Sequence, residues 1–345
     1  MEETRNPTLQ PSGATGSEYT HFAGHPVPDH HGDPAAEYTA LRNGVALVEK
    51  NQKILRLSGK DPAGMLDAIM TNNVPKEERR GAYAALLDPK GRVQTDLRVL
   101  KDREDMLIVT EPEGAEATRA ILGRYAPFSR VTMEDLSEPK VPWGVLGIHG
   151  PRAPELLGHP EMEEHETGVV DMGGVPLLIA GVRHPVSGYD LIGPAEDLRR
   201  VADYLASCGA IKAGHQAYET IRIETGTPRF GPDITPDNFP AEAGILERAV
   251  NFAKGCYPGQ ETVARMHYRG HPNRALHRLV VKGPLPQPNT PILQNDKQVG
   301  RITSVAPLPV EGKTLALGYL HRNAGPETLL KAGEAKVSLV LEAKG

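Results

Sequence analysis

Apolar positions change their period several times along this chain. Asp61-Pro62 reads as a helix cap followed by the first helical residue, and Met65, Leu66, Ile69 and Met70 recur three and four residues apart. That spacing predicts a helix of about ten residues. The period then drops to two. Ala82 to Leu87 and Arg92 to Leu100 read as strands joined by Asp88-Pro89-Lys90-Gly91, a tight-turn sequence, so they predict a hairpin. In its second strand Val93, Thr95, Leu97 and Val99 share one face, while Arg92, Gln94, Asp96 and Arg98 share the other. A strand near Asp105 to Thr110, a helix near Pro112 to Tyr125 and a strand near Val131 complete this unit.

The same grammar repeats from residue 140 to 210. Strands are expected at Gly144 to His149, Gly168 to Asp171, Pro176 to Val182 and Tyr189 to Ile192, with helices at Pro151 to Leu157 and Pro194 to Ser207. Strands outnumber helices and hairpins recur, which favours an α+β fold with antiparallel sheets over a doubly wound parallel sheet. Residues 214 to 225 read as a further helix, stopped by Gly226 with Pro228 just beyond. After Arg274 the helical pattern gives way to Leu276 to Val281, Gln298 to Val305, Thr314 to Tyr319 and Ala335 to Leu341. These short strands, separated by Pro and Gly, predict a small β-barrel.

Residues 1 to about 35 hold few apolar side chains and many Pro, Gly, Ser and Thr, so they are expected to form a flexible tail. Its His21, His25, His30 and His31 are irregularly spaced and lack carboxylate or thiol partners, which makes solvated histidines the simpler reading than a metal site. At 345 residues and a formal charge of −5, the chain is long enough for two or three domains and is not attracted wholesale to nucleic acid or anionic membrane. Two cysteines in unlike settings offer neither a disulfide framework nor paired metal ligands. With no membrane-length apolar run and no leader pattern, a cytoplasmic location is expected.

Four features carry candidate chemistry. Lys254-Gly255-Cys256-Tyr257-Pro258-Gly259-Gln260-Glu261, followed by Thr-Val-Ala-Arg265, places a thiol in a glycine-bracketed basic loop. Cysteine reacts as the thiolate, which cations such as Lys254 and Arg265 favour, although a structural cysteine in a tight turn is the competing reading. Cys208, in Leu-Ala-Ser-Cys-Gly, reads as inert. Asp96 stands on the polar strand face, where a solvated or ion-paired role is the simpler reading. Glu224 ends a helix, a position the helix dipole disfavours for an anion, so either a compensating partner or plain exposure is implied. Between Arg265 and Arg278 lie four Arg and three His with no acidic residue, a strip suited to carboxylates or phosphates, or else a solvated loop. Gly312-Lys313-Thr314 lacks the upstream glycine of a P-loop, and His165-Glu166 lacks the second histidine of a zincin.

The segment from Phe252 to Leu276 closely resembles the signature of the YgfZ family, folate-binding proteins related to the glycine cleavage T protein and linked to iron-sulfur cluster maintenance. Thr71-Asn-Asn-Val74, Arg222-Ile-Glu224-Thr-Gly226-Thr-Pro228, Pro240-Ala-Glu242-Ala-Gly244 and Gly300-Arg-Ile-Thr-Ser304 extend the resemblance from residue 37 to the end. The resemblance implies a three-domain ring: residues 37-139 plus 211-275 form a discontinuous first domain, 140-210 a second and 276-345 a C-terminal barrel, behind a tail over 1-36. It also implies that tetrahydrofolate is bound by Tyr83, Asp96 and Glu224 together with Lys254, Gly255, Gln260 and Arg265, with Cys256 and Asp96 carrying the chemistry. Where T proteins carry an Asp-Asp pair, this chain reads Thr95-Asp96, and T proteins place no cysteine in the loop of Cys256. The implied function is a folate-binding accessory to iron-sulfur cluster assembly or repair, affecting tRNA thio-modification indirectly, with the assembly machinery or client enzymes as partners. Direct tRNA contact through the Arg265 to Arg278 strip is a weaker implication. The alternative is a folate-dependent aminomethyltransferase or one-carbon transferase.

Overall fold

The structure is a computed structural model that describes residues 19–22, 25–137, 141–324 and 329–340. Two antiparallel-rich sheets lie face to face, and helices cover their outer faces. The first sheet has five strands, all paired antiparallel, in the order Ala82–Leu87, Val93–Asp102, Asp105–Thr110, Lys53–Gly59, Val131–Asp135. Its outer face carries Leu55, Leu57, Leu86, Leu97, Val99 and Ile108, packed beneath helices Pro62–Ile69 and Pro112–Ser129. Asp61 accepts the Gly64 N–H and caps the first of these helices, as its sequence foretold.

The second sheet runs Thr167–Asp171, Pro176–Val182, Gly188–Pro194, Trp143–His149, Ala46–Lys50, Ile211–Lys212. Only the last pair is parallel. Helix Ala195–Ser207 covers its outer face through Leu198, Val201, Ala202 and Leu205. Strand Ala46–Lys50 has no counterpart in the periodicity reading. Its residues 46–48 are buried without alternation, and it is held by antiparallel pairing with Trp143–His149, about a hundred positions later, and by parallel pairing with Ile211–Lys212.

The inner faces of the two sheets meet through Ile54, Leu100, Leu107 and Val109 on one side and Val145, Leu178, Ala180 and Ile192 on the other. This apolar seam fills only part of the interface. Moving along the strands from it, Leu100 is followed by Arg98 and Asp96 on the same inner face, and Ile192 by Asp190. Polar groups thus replace the seam where the cavity begins.

A closed six-stranded barrel follows, ordered Arg274–Lys282, Thr314–His321, Lys297–Val305, Pro291–Gln294, Leu330–Ala332, Ala335–Leu339. The α+β architecture with a C-terminal barrel is therefore present. The strip read as a loop from Arg265 onward is instead helix Gln260–Arg269 followed by the first barrel strand. Only Val263 of that helix is buried, too weak an apolar stripe to announce it.

Much of the span expected as a flexible tail lies outside the described residues, including the side chains of His21 and His25. From Asp29 onward it is fixed. The Asp29 carbonyl accepts the Gln216 N–H at 3.0 Å and its carboxylate accepts Gln216 Nε2 at 2.6 Å. Glu37 accepts the N–H groups of His31 and Gly214, at 2.6 and 2.9 Å, and helix Pro34–Asn43 starts on the Asp33 cap. A polar segment can be ordered when long-range partners satisfy its backbone, and composition does not report those partners. Among the described residues, no helix is long and apolar enough to cross a membrane.

Candidate functional site

Tyr83, Asp96 and Arg98 project from one sheet face because Tyr83 sits directly opposite Arg98 in the hairpin, and Ala85 opposite Asp96. They form one wall of a cavity of about 180 Å³. That is an order of magnitude more than a single water requires. Lys50 and Tyr218 line the facing wall, Glu219, Arg222 and Arg229 the floor, and Arg248 and His184 the rim, while Pro28 and His31 of the N-terminal segment close one side.

The Tyr83 hydroxyl donates to Asp96 Oδ2 at 2.6 Å. Asp96 is buried, and burial pushes its carboxyl up to about 6; the Tyr83 bond opposes that rise and the charge of Glu111 adds to it. Tyr83 is itself pushed far above the usual phenol range, by burial first and by the Asp96 charge second. The Arg248 guanidinium lies 5.1 Å from the Tyr83 ring centroid and donates to Glu164 at 2.9 Å. The pair is thus a carboxyl poised near neutrality, with one oxygen engaged by Tyr83.

On the facing wall, fully buried Asp190 lies 2.7 Å from Lys50 Nζ and pairs with Arg98 Nη1, while His149 Nε2 stands 3.6 Å away. Burial would raise the Asp190 carboxyl, yet the adjacent Lys50 and Arg98 charges hold it well below the usual carboxylate range. His149 and His165 are held neutral, pushed down to about 3 and about 2, by burial first and then by the neighbouring cations. Arg98 Nε donates to His165 Nδ1 at 3.4 Å.

The floor is tied to the barrel. Arg222 grips Glu219 through two bonds of 2.9 Å and donates to Asp233 at 2.7 Å; Thr303 and Ser304 of the barrel donate to Asp233 Oδ1 at 2.5 and 2.8 Å. The paired cations hold Glu219 down at about 2 despite its burial.

Of the residues singled out in the sequence, Tyr83 and Asp96 come together here. Glu224 does not. It lies five residues after Glu219 on helix His215–Glu224, a rotation of about 140° at 3.6 residues per turn, and so faces away. Its carboxylate takes the Tyr38 hydroxyl at 2.7 Å and Arg42 at 3.1 Å, and these are the partners that offset the helix dipole. Thr95 points to the opposite sheet face, where it is buried against Thr110 and Gly114, so it has no path to the cavity.

Lys254, Gly255, Cys256, Gln260 and Arg265 also lie outside the cavity lining. Cys256 is exposed, but Lys254 does not serve it. The Lys254 ammonium turns inward to the carbonyls of Asp67, Met70 and Asn72, at 2.7, 2.7 and 2.9 Å, and anchors the loop to the end of helix Pro62–Ile69. Cys208, read as inert, is exposed too. Lys50, Asp190, Glu219 and Arg248 were missed. Asp190 alternates with apolar neighbours in a strand and gives no local sign of the two cations that surround it.

Residues 12–254 match the model of the GCVT N-terminal domain, and residues 274–340 match that of the glycine cleavage T-protein C-terminal barrel domain. The chain is 25% identical to an aminomethyltransferase of Streptomyces avermitilis over 334 residues, covering 91% of this chain and 88% of that one. An aminomethyltransferase of Moorella thermoacetica is likewise 25% identical over 350 residues, covering 94% and 91%. The crystal structure of glycine cleavage system aminomethyltransferase T from Bartonella henselae superposes with a TM-score of 0.81 over 95% of this chain and 93% of that one. At 19% identity, that likeness speaks for the fold alone.

Proposed function

The chain belongs to the glycine cleavage T-protein family, and from that premise we propose that it is a folate-dependent one-carbon group transferase of the aminomethyltransferase type. The observation that carries this reading is the buried Tyr83–Asp96 pair on the cavity wall. Tetrahydrofolate, when bound, supplies the nitrogen that receives the one-carbon unit. The residues fit such a ligand. Among the described residues Tyr83 is the one side chain that donates to the Asp96 carboxylate, so acceptor capacity remains for the N–H edge of a pterin, and Tyr83 and Tyr218 offer aromatic surface for its ring.

A carboxyl at about 6 is divided between its two forms near neutral pH, so Asp96 can take up a proton and return it without a large energetic step. Tyr83 fixes the orientation of that carboxyl. Helix His215–Glu224, held through Arg222 and Asp233, keeps the floor in place, and the segment around Pro28 and His31 limits the entry of water. The test is release of ammonia from an aminomethyl-lipoyl carrier protein in the presence of tetrahydrofolate. Turnover supports the reading, and its absence with folate bound sinks aminomethyl transfer.

A second reading is favoured by exposed Cys256 in its YgfZ-like loop: a folate-binding accessory to iron-sulfur cluster assembly or repair, affecting tRNA thio-modification indirectly. In a strain lacking this protein, Cys256→Ser should fail to restore cluster-dependent enzyme activity. Full rescue by the serine variant would remove the thiol from that account.

A further inference from the structure

Tyr83, Tyr189 and Tyr319 spend their hydroxyls on protein oxygens: Asp96, the carbonyls of His159 and Pro160, and the carbonyl of Asp233. The Tyr257 hydroxyl is sealed from solvent. Tyr218 does neither. It lines the cavity and is partly exposed, and among the described residues its hydroxyl makes no hydrogen bond and is not sealed off. The carboxylates that act on it are each turned to another donor. Asp190 takes Lys50 and Arg98, Glu219 takes two bonds of 2.9 Å from Arg222, and Glu111 takes Gln52 Nε2 at 2.9 Å. The ring itself is fixed. It packs beside Leu41, Val48 and Ile221, with the His149 ring centroid 6.1 Å away and Lys50 Nζ 5.7 Å from its own centroid. The hydroxyl is therefore in place before a ligand arrives.

We propose that Tyr218 is a positioning residue for the pterin, its hydroxyl donating to the ring carbonyl oxygen while Asp96 accepts from the N–H edge. This rests on the folate reading above. Charge selects the acceptor. Burial first, and then the charges of Asp190, Glu111 and Glu219, push the Tyr218 phenol far above its usual range, with Arg98 opposing them less strongly, so the hydroxyl keeps its proton at any working pH. The same carboxylates would repel an anionic acceptor beside them, whereas a neutral carbonyl meets no such repulsion. A pterin ring carries one such oxygen, next to its N–H groups. Holding the oxygen from one wall and the N–H edge from the other fixes which way the ring lies, and hence where the nitrogen that receives the one-carbon unit stands relative to Asp96.

The full chain, as wild type and as Tyr218→Phe, is titrated with 5-formyltetrahydrofolate and with its 4-amino analogue, in which an amino group replaces the ring oxygen. Tyr218→Phe should weaken binding of the folate about three- to tenfold, as the loss of one neutral hydrogen bond does, and change binding of the analogue by less than about twofold. Because the hydroxyl serves no protein group, the melting temperature of the unliganded variant should be unchanged or higher. A penalty on the analogue as large as that on the folate, or no penalty on either, overturns the assignment and leaves the folate reading in place. A lower melting temperature, or a variant that does not fold, shows that the fold itself needs the hydroxyl and overturns the assignment as well. If wild type binds neither ligand, the folate reading fails and the assignment fails with it.

Discussion

Tyr83 and Asp96 come from adjacent strands of one hairpin and share a 2.6 Å hydrogen bond on the cavity wall, and this bond opposes the effect of burial on the Asp96 carboxyl. Burial raises the Asp96 carboxyl to about 6 and the tyrosine holds it from rising further. If ionised Asp96 is the active form, kcat/KM should fall on the acid side of about pH 6. Tyr83→Phe removes the opposing bond, so the acid limb should move to higher pH. A limb that stays in place would separate Tyr83 from the titration.

The same shift has a consequence for stability. A carboxyl raised in the folded state favours folding below its unfolded value, and that contribution is lost as pH rises through about 6. Asp96→Asn should therefore raise the melting temperature at pH 8 while leaving it nearly unchanged at pH 4, where the native carboxyl is already neutral. Scanning calorimetry at the two pH values checks this.

His149 and His165 act in the opposite direction on acidification. Their folded values are depressed to about 3 and about 2, so each contributes stability that is present above about 6.5 and is lost as pH falls below it. Between pH 6 and 4 each should steepen the fall by up to about 1.4 kcal/mol per pH unit. Urea melts of His149→Phe should show a shallower dependence. An identical slope would mean that the ring is protonated in the native state.

Asp233 collects Arg222, Thr303 and Ser304 at the junction of the cavity floor with the barrel. Asp233→Ala leaves the buried Arg222 with a missing partner and should cost about 3 to 5 kcal/mol. Glu224→Ala, by contrast, removes a partly exposed pair with Arg42 and should cost no more than about 1 kcal/mol while sparing folate affinity. Chemical denaturation and folate titration of the two variants test the contrast.

The N-terminal segment crosses Gly214 so closely that a Cβ there would lie 2.7 Å from the Asp29 carbonyl oxygen and 2.7 Å from His30 Cα. Both are backbone atoms and cannot swing aside. Gly214→Val should lift the segment from the cavity, exposing residues 26–33 to proteolysis and speeding folate dissociation. Unchanged cleavage would show that the Asp29–Gln216 and Glu37 contacts hold the segment in place despite the added side chain.

The sequence by itself determined the local elements. Turn chemistry and period-two alternation placed Ala82–Leu87 and the following strand and put Asp96 and Arg98 on one face, because strand geometry is a local property, while the pairing register brought Tyr83 to that face. Pro and Gly punctuation announced the barrel for the same reason. Tertiary structure decided what those faces meet. Asp190 reaches Arg98 across 92 positions, Glu219 rather than Glu224 turns toward the cavity, and Lys254 is drawn from the cysteine to three carbonyls. Each of these choices is set by a partner distant in the chain, and the hydrogen-bonding and charge demands of a buried group are recorded in its surroundings rather than in its neighbours along the sequence.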